Sequence, residues 1–96
     1  MLTKKHFKNI VEFNGDHYYI SSCYTLDHGY ETMIFPCDDN GNVTDWSELY
    51  AEWYDSETEM EKRHNEIVAD LKGTFDNATE ENKSTLSRLA DMLNEM

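Results

Sequence analysis

Between Phe7 and Pro36, apolar and polar residues alternate with a period of two. That is the spacing of strands whose two faces meet different surroundings. In the first run Phe7, Val11 and Phe13 share a face with Asn9 between them. Asn14-Gly15 follows and predicts a hairpin, because both central residues of such a turn need positive φ. From His17 to Leu26 the chain is rich in aromatic and β-branched residues: Tyr18, Ile20, Ser22, Tyr24 and Leu26 lie on one face, Tyr19, Ser21, Cys23 and Thr25 on the other. Asp27-His28-Gly29 reads as the next turn. Tyr30 to Pro36 reads as a third strand, with Glu31, Met33 and Phe35 opposite Tyr30, Thr32 and Ile34. Asp38-Asp39-Asn40-Gly41 turns again. A short helix capped by Thr3 is the alternative for the first run, through Phe7, Ile10 and Val11. The strand is preferred because the turn leads directly into another strand.

Trp46 to Tyr54 fits two periods. As a helix it aligns Trp46, Leu49, Tyr50, Trp53 and Tyr54; as a strand it puts Leu49, Ala51 and Trp53 inside and Glu48, Tyr50, Glu52 and Tyr54 outside. The strand is preferred because Ser56-Glu57-Thr58-Glu59 starts a helix at once, with Ser56 as cap and Glu59 bonding back. Its stripe is Met60, Ile67, Val68 and Leu71, with His64 on the same side, and Gly73 is expected to end it. A second helix is expected from Asn77-Ala78-Thr79-Glu80, with the stripe Leu86, Leu89, Ala90 and Leu93. The prediction is an α+β fold over residues 1–96: an antiparallel sheet of about four strands, then two helices packed on one face.

Charge narrows the partners. The chain carries 20 acids against 8 Lys and Arg, net −12, and the excess lies in residues 41–96 (14 acids, 5 bases). Phosphate contacts need Lys and Arg, so direct binding to nucleic acid or an anionic membrane is not expected. A protein with a basic surface is, since opposite potentials steer encounter. Asp45, Glu48, Glu52, Asp55, Glu57, Glu59 and Glu61 fall in 17 residues without Lys or Arg, and Tyr50, Trp53 and Tyr54 are interleaved. Asp45, Glu48, Tyr50, Glu52, Tyr54, Asp55 and Glu57 are the expected partner-binding residues. The bland reading is a solvated helix start and an edge strand guarded by charge. No run approaches the ~20 apolar residues of a membrane helix, and there is no basic-then-apolar leader. A cytoplasmic location with Cys23 and Cys37 reduced is expected.

His64 is the polar residue that the helix period turns inward. Such a histidine is ordinarily a hydrogen-bonded core residue. If the face of Glu31, Met33 and Phe35 packs on the helix, Glu31 points toward His64, and a buried carboxylate needs a partner. One answer is a hydrogen bond. Another is a structural zinc held by His28, Glu31 and His64, with Asp27 as fourth ligand or as an orienting group. An open zinc position would make a small hydrolase. No His-Glu-x-x-His, phosphate loop, nucleophile elbow or calcium loop supports catalysis, so none is expected.

Leu26-Asp27-His28, the string Tyr30-Glu31-Thr32-Met33-Ile34-Phe35, and Tyr54 and Ser56 leading to His64 resemble a widespread group of small phage and prophage proteins. The resemblance covers about residues 17–68. This chain differs in its short Asp-His to Tyr-Glu turn, in the acidic insertion around Asp38 to Trp46, and in the second helix. The resemblance implies a mobile-element origin, and it marks Asp27, His28, Glu31 and His64. By analogy of size and charge it implies an anti-CRISPR or related anti-defence inhibitor in the bacterial host cytoplasm, acting on an effector nuclease. The alternatives are a metal-dependent hydrolase, or a phage accessory protein with a structural zinc.

Overall fold

The structure is a computed structural model and describes residues 5–79 and Asn82. Its described elements run β1 (Phe7–Phe13), β2 (Asp16–Thr25), β3 (Gly29–Cys37), β4 (Tyr50–Tyr54), α1 (Glu57–Ala69) and α2 (Leu71–Asp76). The four strands form one antiparallel sheet in the order β1-β2-β3-β4. The α+β architecture predicted from alternation followed by helical spacing is the one observed.

The first hairpin closes through Asn14 and Gly15, at φ 55° and 85°, which pairs Phe13 with Asp16. That turn fixes the register of β1 on β2. Ile20 then lies between Asn9 and Ile34, and Ile34 lies beside Tyr50. Ile20, Ile34, Tyr50, Ile67 and Leu71 form the central cluster, with Val11, Phe13, Tyr18, Val68 and Phe75 packed against it. Each fully buried isoleucine contributes about 1.5–3 kcal/mol. The helices therefore cover the face of Tyr18, Ile20, Ser22, Thr32, Ile34, Tyr50, Glu52 and Tyr54.

This reverses two expectations. Tyr50, Glu52 and Tyr54 face the helices, while Ala51 and Trp53 lie on the other face. Glu31, Met33 and Phe35 also point away from the helices. Alternation sorts residues into two faces but does not say which is covered, and here both carry large apolar side chains. Trp46 and Leu49 precede β4 and do not belong to it.

Ser56 Oγ accepts from Glu59 N at 3.2 Å, so the expected cap is present. Met60, His64 and Ile67 are the buried residues of α1. Gly73 does not end this helix. Asp70 interrupts it (φ −144°, ψ 71°), and its carboxylate accepts from Gly73 N at 2.9 Å to start α2. The expected second helix, with Leu86, Leu89, Ala90 and Leu93, lies outside the described residues.

Between β3 and β4 the chain folds back on the sheet face opposite α1 and α2. Asp38 Oδ1 accepts from Asn40 N and Asn42 N, each at 2.9 Å, and Thr44 N donates to Pro36 O at 3.0 Å. This loop sets the Trp46 ring edge-on to Phe35, with centroids 5.1 Å apart. No helix among the described residues is long and apolar enough to cross a membrane.

Candidate functional site

Two polar constellations stand on opposite faces of the sheet. The first lies under the helices and is a continuous chain of hydrogen bonds. His64 is buried; its Nε2 is 2.7 Å from Asn9 Oδ1 and its Nδ1 is 2.6 Å from Ser22 Oγ. Ser22 Oγ is 2.5 Å from Thr32 Oγ1, which is 3.0 Å from the Tyr54 hydroxyl. That hydroxyl is 2.9 Å from Glu52 Oε2, which the Tyr50 hydroxyl also approaches at 3.2 Å. Arg63 Nε closes the chain on both Glu52 oxygens at 3.1 and 3.2 Å, and its Nη1 reaches Glu66 at 2.9 Å.

The proton directions follow from the charged end. Glu52 is a carboxylate paired with Arg63, and a carboxylate only accepts. Burial works against the Arg63 charge, but the hydrogen bonds to Glu52 and Glu66 outweigh it, so the guanidinium is held above its ordinary value. Tyr54 has one proton, and the carboxylate makes the stronger bond, so Tyr54 donates there and accepts from Thr32. Burial, first, holds the Tyr54 phenol protonated well above its usual range. Thr32 then accepts from Ser22, and Ser22 accepts from His64 Nδ1–H. Burial, with nearby His6 behind it, lowers the His64 pKa, which favours the neutral ring. In that ring Nε2 accepts, and the Asn9 amide turns its NH2 toward it, an orientation that Asn9 adopts by exchanging its two amide ends. Ser22 beside His64 has the composition of a nucleophile–base pair, yet Ser22 is fully buried, so its hydroxyl is not presented to a substrate in this conformation.

The second constellation lies on the face opposite α1 and α2. Glu31 sits between Cys23 of β2 and Trp53 of β4 and is 4% exposed. Its Oε2 is buried with no hydrogen-bond partner. Burial raises the Glu31 pKa; the His28 charge and hydrogen bonding from Trp53 and Thr25 oppose the rise, and Glu48 adds to it. Around it the surface is aromatic and open: Trp46 is 70% and Trp53 42% exposed, and Leu49 is exposed too.

The residues expected to hold a metal are thus divided by the sheet. His64 is on the helix side, Glu31 is on the other, and His28 acts on Glu31 from the exposed β2–β3 turn that also holds Asp27. The register is the reason, since Ser22 and Thr32, not Glu31, share the face of Ile20 and Ile34. Among the described residues no three or more His, Cys, Asp or Glu are gathered to hold a metal. Cys23 and Cys37 are free thiols.

The expected partner-binding residues also separate. Tyr50, Glu52 and Tyr54 belong to the buried chain. Asp45 is exposed and accepts from Ser47 N at 2.9 Å. Asp55 is exposed at the end of β4, Glu48 is half-buried before it, and half-buried Glu57 Oε1 lies 3.4 Å from Lys5 N. A cleft of about 590 Å³ opens between β4, α1 and α2, lined by Tyr50, Glu52, Arg63, Glu66 and Asp70. Its charged groups are already engaged, Arg63 by Glu52 and Glu66, and Asp70 by Gly73 N.

Sequence reasoning singled out His64 through the helix period but missed Asn9, Ser22, Thr32 and Arg63 as its chain. Asn9 and Ser22 did interrupt apolar faces, which was the available signal. No family model, curated protein or solved structure matches the chain.

Proposed function

We propose that this chain is an inhibitory binding protein that docks the sheet face of Trp46, Leu49 and Trp53 against a basic protein surface. The exposure of both indoles on one face, which no helix covers among the described residues, carries this reading. Large exposed aromatics are the residues that dominate interface energetics. Asp45, Glu48 and Asp55 lie close to them in the chain, and carboxylates with indoles suit arginine-rich surfaces through ion pairing and cation–π contact. The net charge of −12 steers such a partner and repels nucleic acid. The phage resemblance supports an anti-defence role, with a CRISPR effector nuclease as partner. A guide–target duplex sits in a positively charged channel of such an enzyme, and an acidic plug competes for it.

The test is cleavage of target DNA by a purified effector with rising amounts of this protein. Inhibition should fall at least about tenfold in the Trp46→Ala, Trp53→Ala double variant, and likewise in Asp45→Lys, Glu48→Lys, Asp55→Lys, the loss of one or two interface anchors. Inhibition unchanged in both would remove this face from the mechanism. No inhibition of any effector, with no complex in sizing experiments, would remove the anti-defence role.

A further inference from the structure

Glu31 makes a specific demand. A buried acceptor without a donor costs about 1–3 kcal/mol, and more when it is charged. Trp53 and Thr25 hydrogen-bond the carboxylate, yet Oε2 is left without a partner, and a donor from outside the chain would serve it. No helix covers this face among the described residues, and the neighbour across β4 is the half-exposed Trp53 on an edge strand. Trp53 also hydrogen-bonds Glu31, so a ligand that reaches Oε2 has to displace that indole.

The surroundings select the donor. His28 acts on Glu31 more strongly than Glu48 does, but a carboxylate oxygen only accepts, so the site takes a donor, and the chain's net charge of −12 favours a cationic one. The wall is an indole, against which a planar guanidinium stacks while it bonds a carboxylate through two N–H groups; a compact ammonium does only the second. We propose that the Glu31 carboxylate seats one arginine side chain of the basic partner, with Trp53 as the stacking wall and Glu48 at the rim. This rests on the binding function proposed above and names its anchor.

The experiment uses the full chain and a capped peptide, Gly-Arg-Gly-Arg-Gly, with lysine and citrulline counterparts. Binding is read by tryptophan fluorescence and by the Trp53 indole N–H resonance. The arginine peptide should shift that resonance saturably, lysine should bind more weakly, and uncharged citrulline should not bind. Glu31→Gln should weaken arginine binding at least about tenfold, the scale of a charge-assisted hydrogen bond. Glu31→Asp, which keeps the charge on a shorter stem, should be intermediate, and circular dichroism reports whether each variant folds. Equal binding by wild type and folded Glu31→Gln would overturn the arginine seat. If Trp46→Ala nevertheless abolished it, the aromatic docking face would stand without this anchor. A saturable response to zinc chloride at Cys23, His28 and Glu31, with none to the arginine peptide, would also overturn the proposal, in favour of a metal.

Discussion

His64 Nδ1 lies 2.6 Å from Ser22 Oγ, the second link of a hydrogen-bond chain that starts at Asn9 of β1 and crosses β2, β3 and β4 to return to α1 at Arg63. Its other end is the Glu52–Arg63 ion pair, so the charge state of Glu52 dictates which imidazole nitrogen carries the proton. Neutral histidine should be the Nδ1–H tautomer here. Long-range nitrogen–proton correlation spectra read the tautomer directly. A neutral ring protonated on Nε2 would mean that the hydroxyls run the other way and that Tyr54 does not donate to Glu52.

Acid should weaken the fold through His64. Its folded pKa lies below the ordinary value of 6.5, so the unfolded chain binds the proton more readily. The stabilisation is full above about pH 6.5 and is lost as pH falls from there through the lower folded pKa. Urea unfolding at pH 7.5 and pH 5 should show this loss, and His64→Gln should reduce it. An equal loss in the variant would assign the effect to other groups.

Replacing Asn9 by Asp puts a carboxylate oxygen where the Asn9 amide end meets His64 Nε2, at 2.7 Å. An adjacent opposite charge favours the charged ring, so the His64 pKa should rise by about 1–3 units. An imidazole titration followed by magnetic resonance gives the value. No rise would mean that the two side chains are not in contact.

Ser22→Ala leaves His64 Nδ1 and Thr32 facing a methyl group. The expected cost is about 1–3 kcal/mol, the penalty of buried groups left unpaired. Tyr54→Phe should cost about 1 kcal/mol, since Glu52 keeps Tyr50 and Arg63. Equilibrium unfolding at neutral pH measures both, and equal losses would contradict the central place of Ser22.

Glu31 should have the opposite pH signature. Its pKa is raised in the fold, so its contribution is present below the ordinary carboxyl value near 4.5 and is lost as pH rises through the folded pKa. Glu31→Gln should therefore stabilise the free protein by about 1 kcal/mol at pH 8, where a buried charge that its neighbours only partly compensate is removed. The two proteins should converge near pH 4. A variant less stable at pH 8 would show that His28, Trp53 and Thr25 already compensate the wild-type carboxylate.

Much of the fold is legible locally. Asn14-Gly15 and the Ser56–Glu59 cap are backbone chemistry that acts within a few residues, and both appear where the chain spells them. His64 is inward because helix geometry alone puts it on the side of Met60 and Ile67. The arrest at Asp70 was less legible, because a single aspartate serves both as the end of α1 and as the cap of α2.

What the sequence by itself determined is the second and third strands with their alternating partition, the first hairpin turn, and the inward side of α1; the first run and Trp46 to Tyr54 each fitted a helix as well as a strand. Only the tertiary structure decided which face of the sheet the helices cover. Phe35 and Trp53 on one side are as apolar as Ile20, Ile34 and Tyr50 on the other, so a period of two cannot choose between them. That choice put Glu31 opposite to His64, dissolved the expected metal set, and drew Tyr50, Glu52 and Tyr54 into the interior. It also left Trp46 and Trp53 facing outward, because α1 packs on the Ile20–Ile34–Tyr50 row and one helix covers only one side of a sheet.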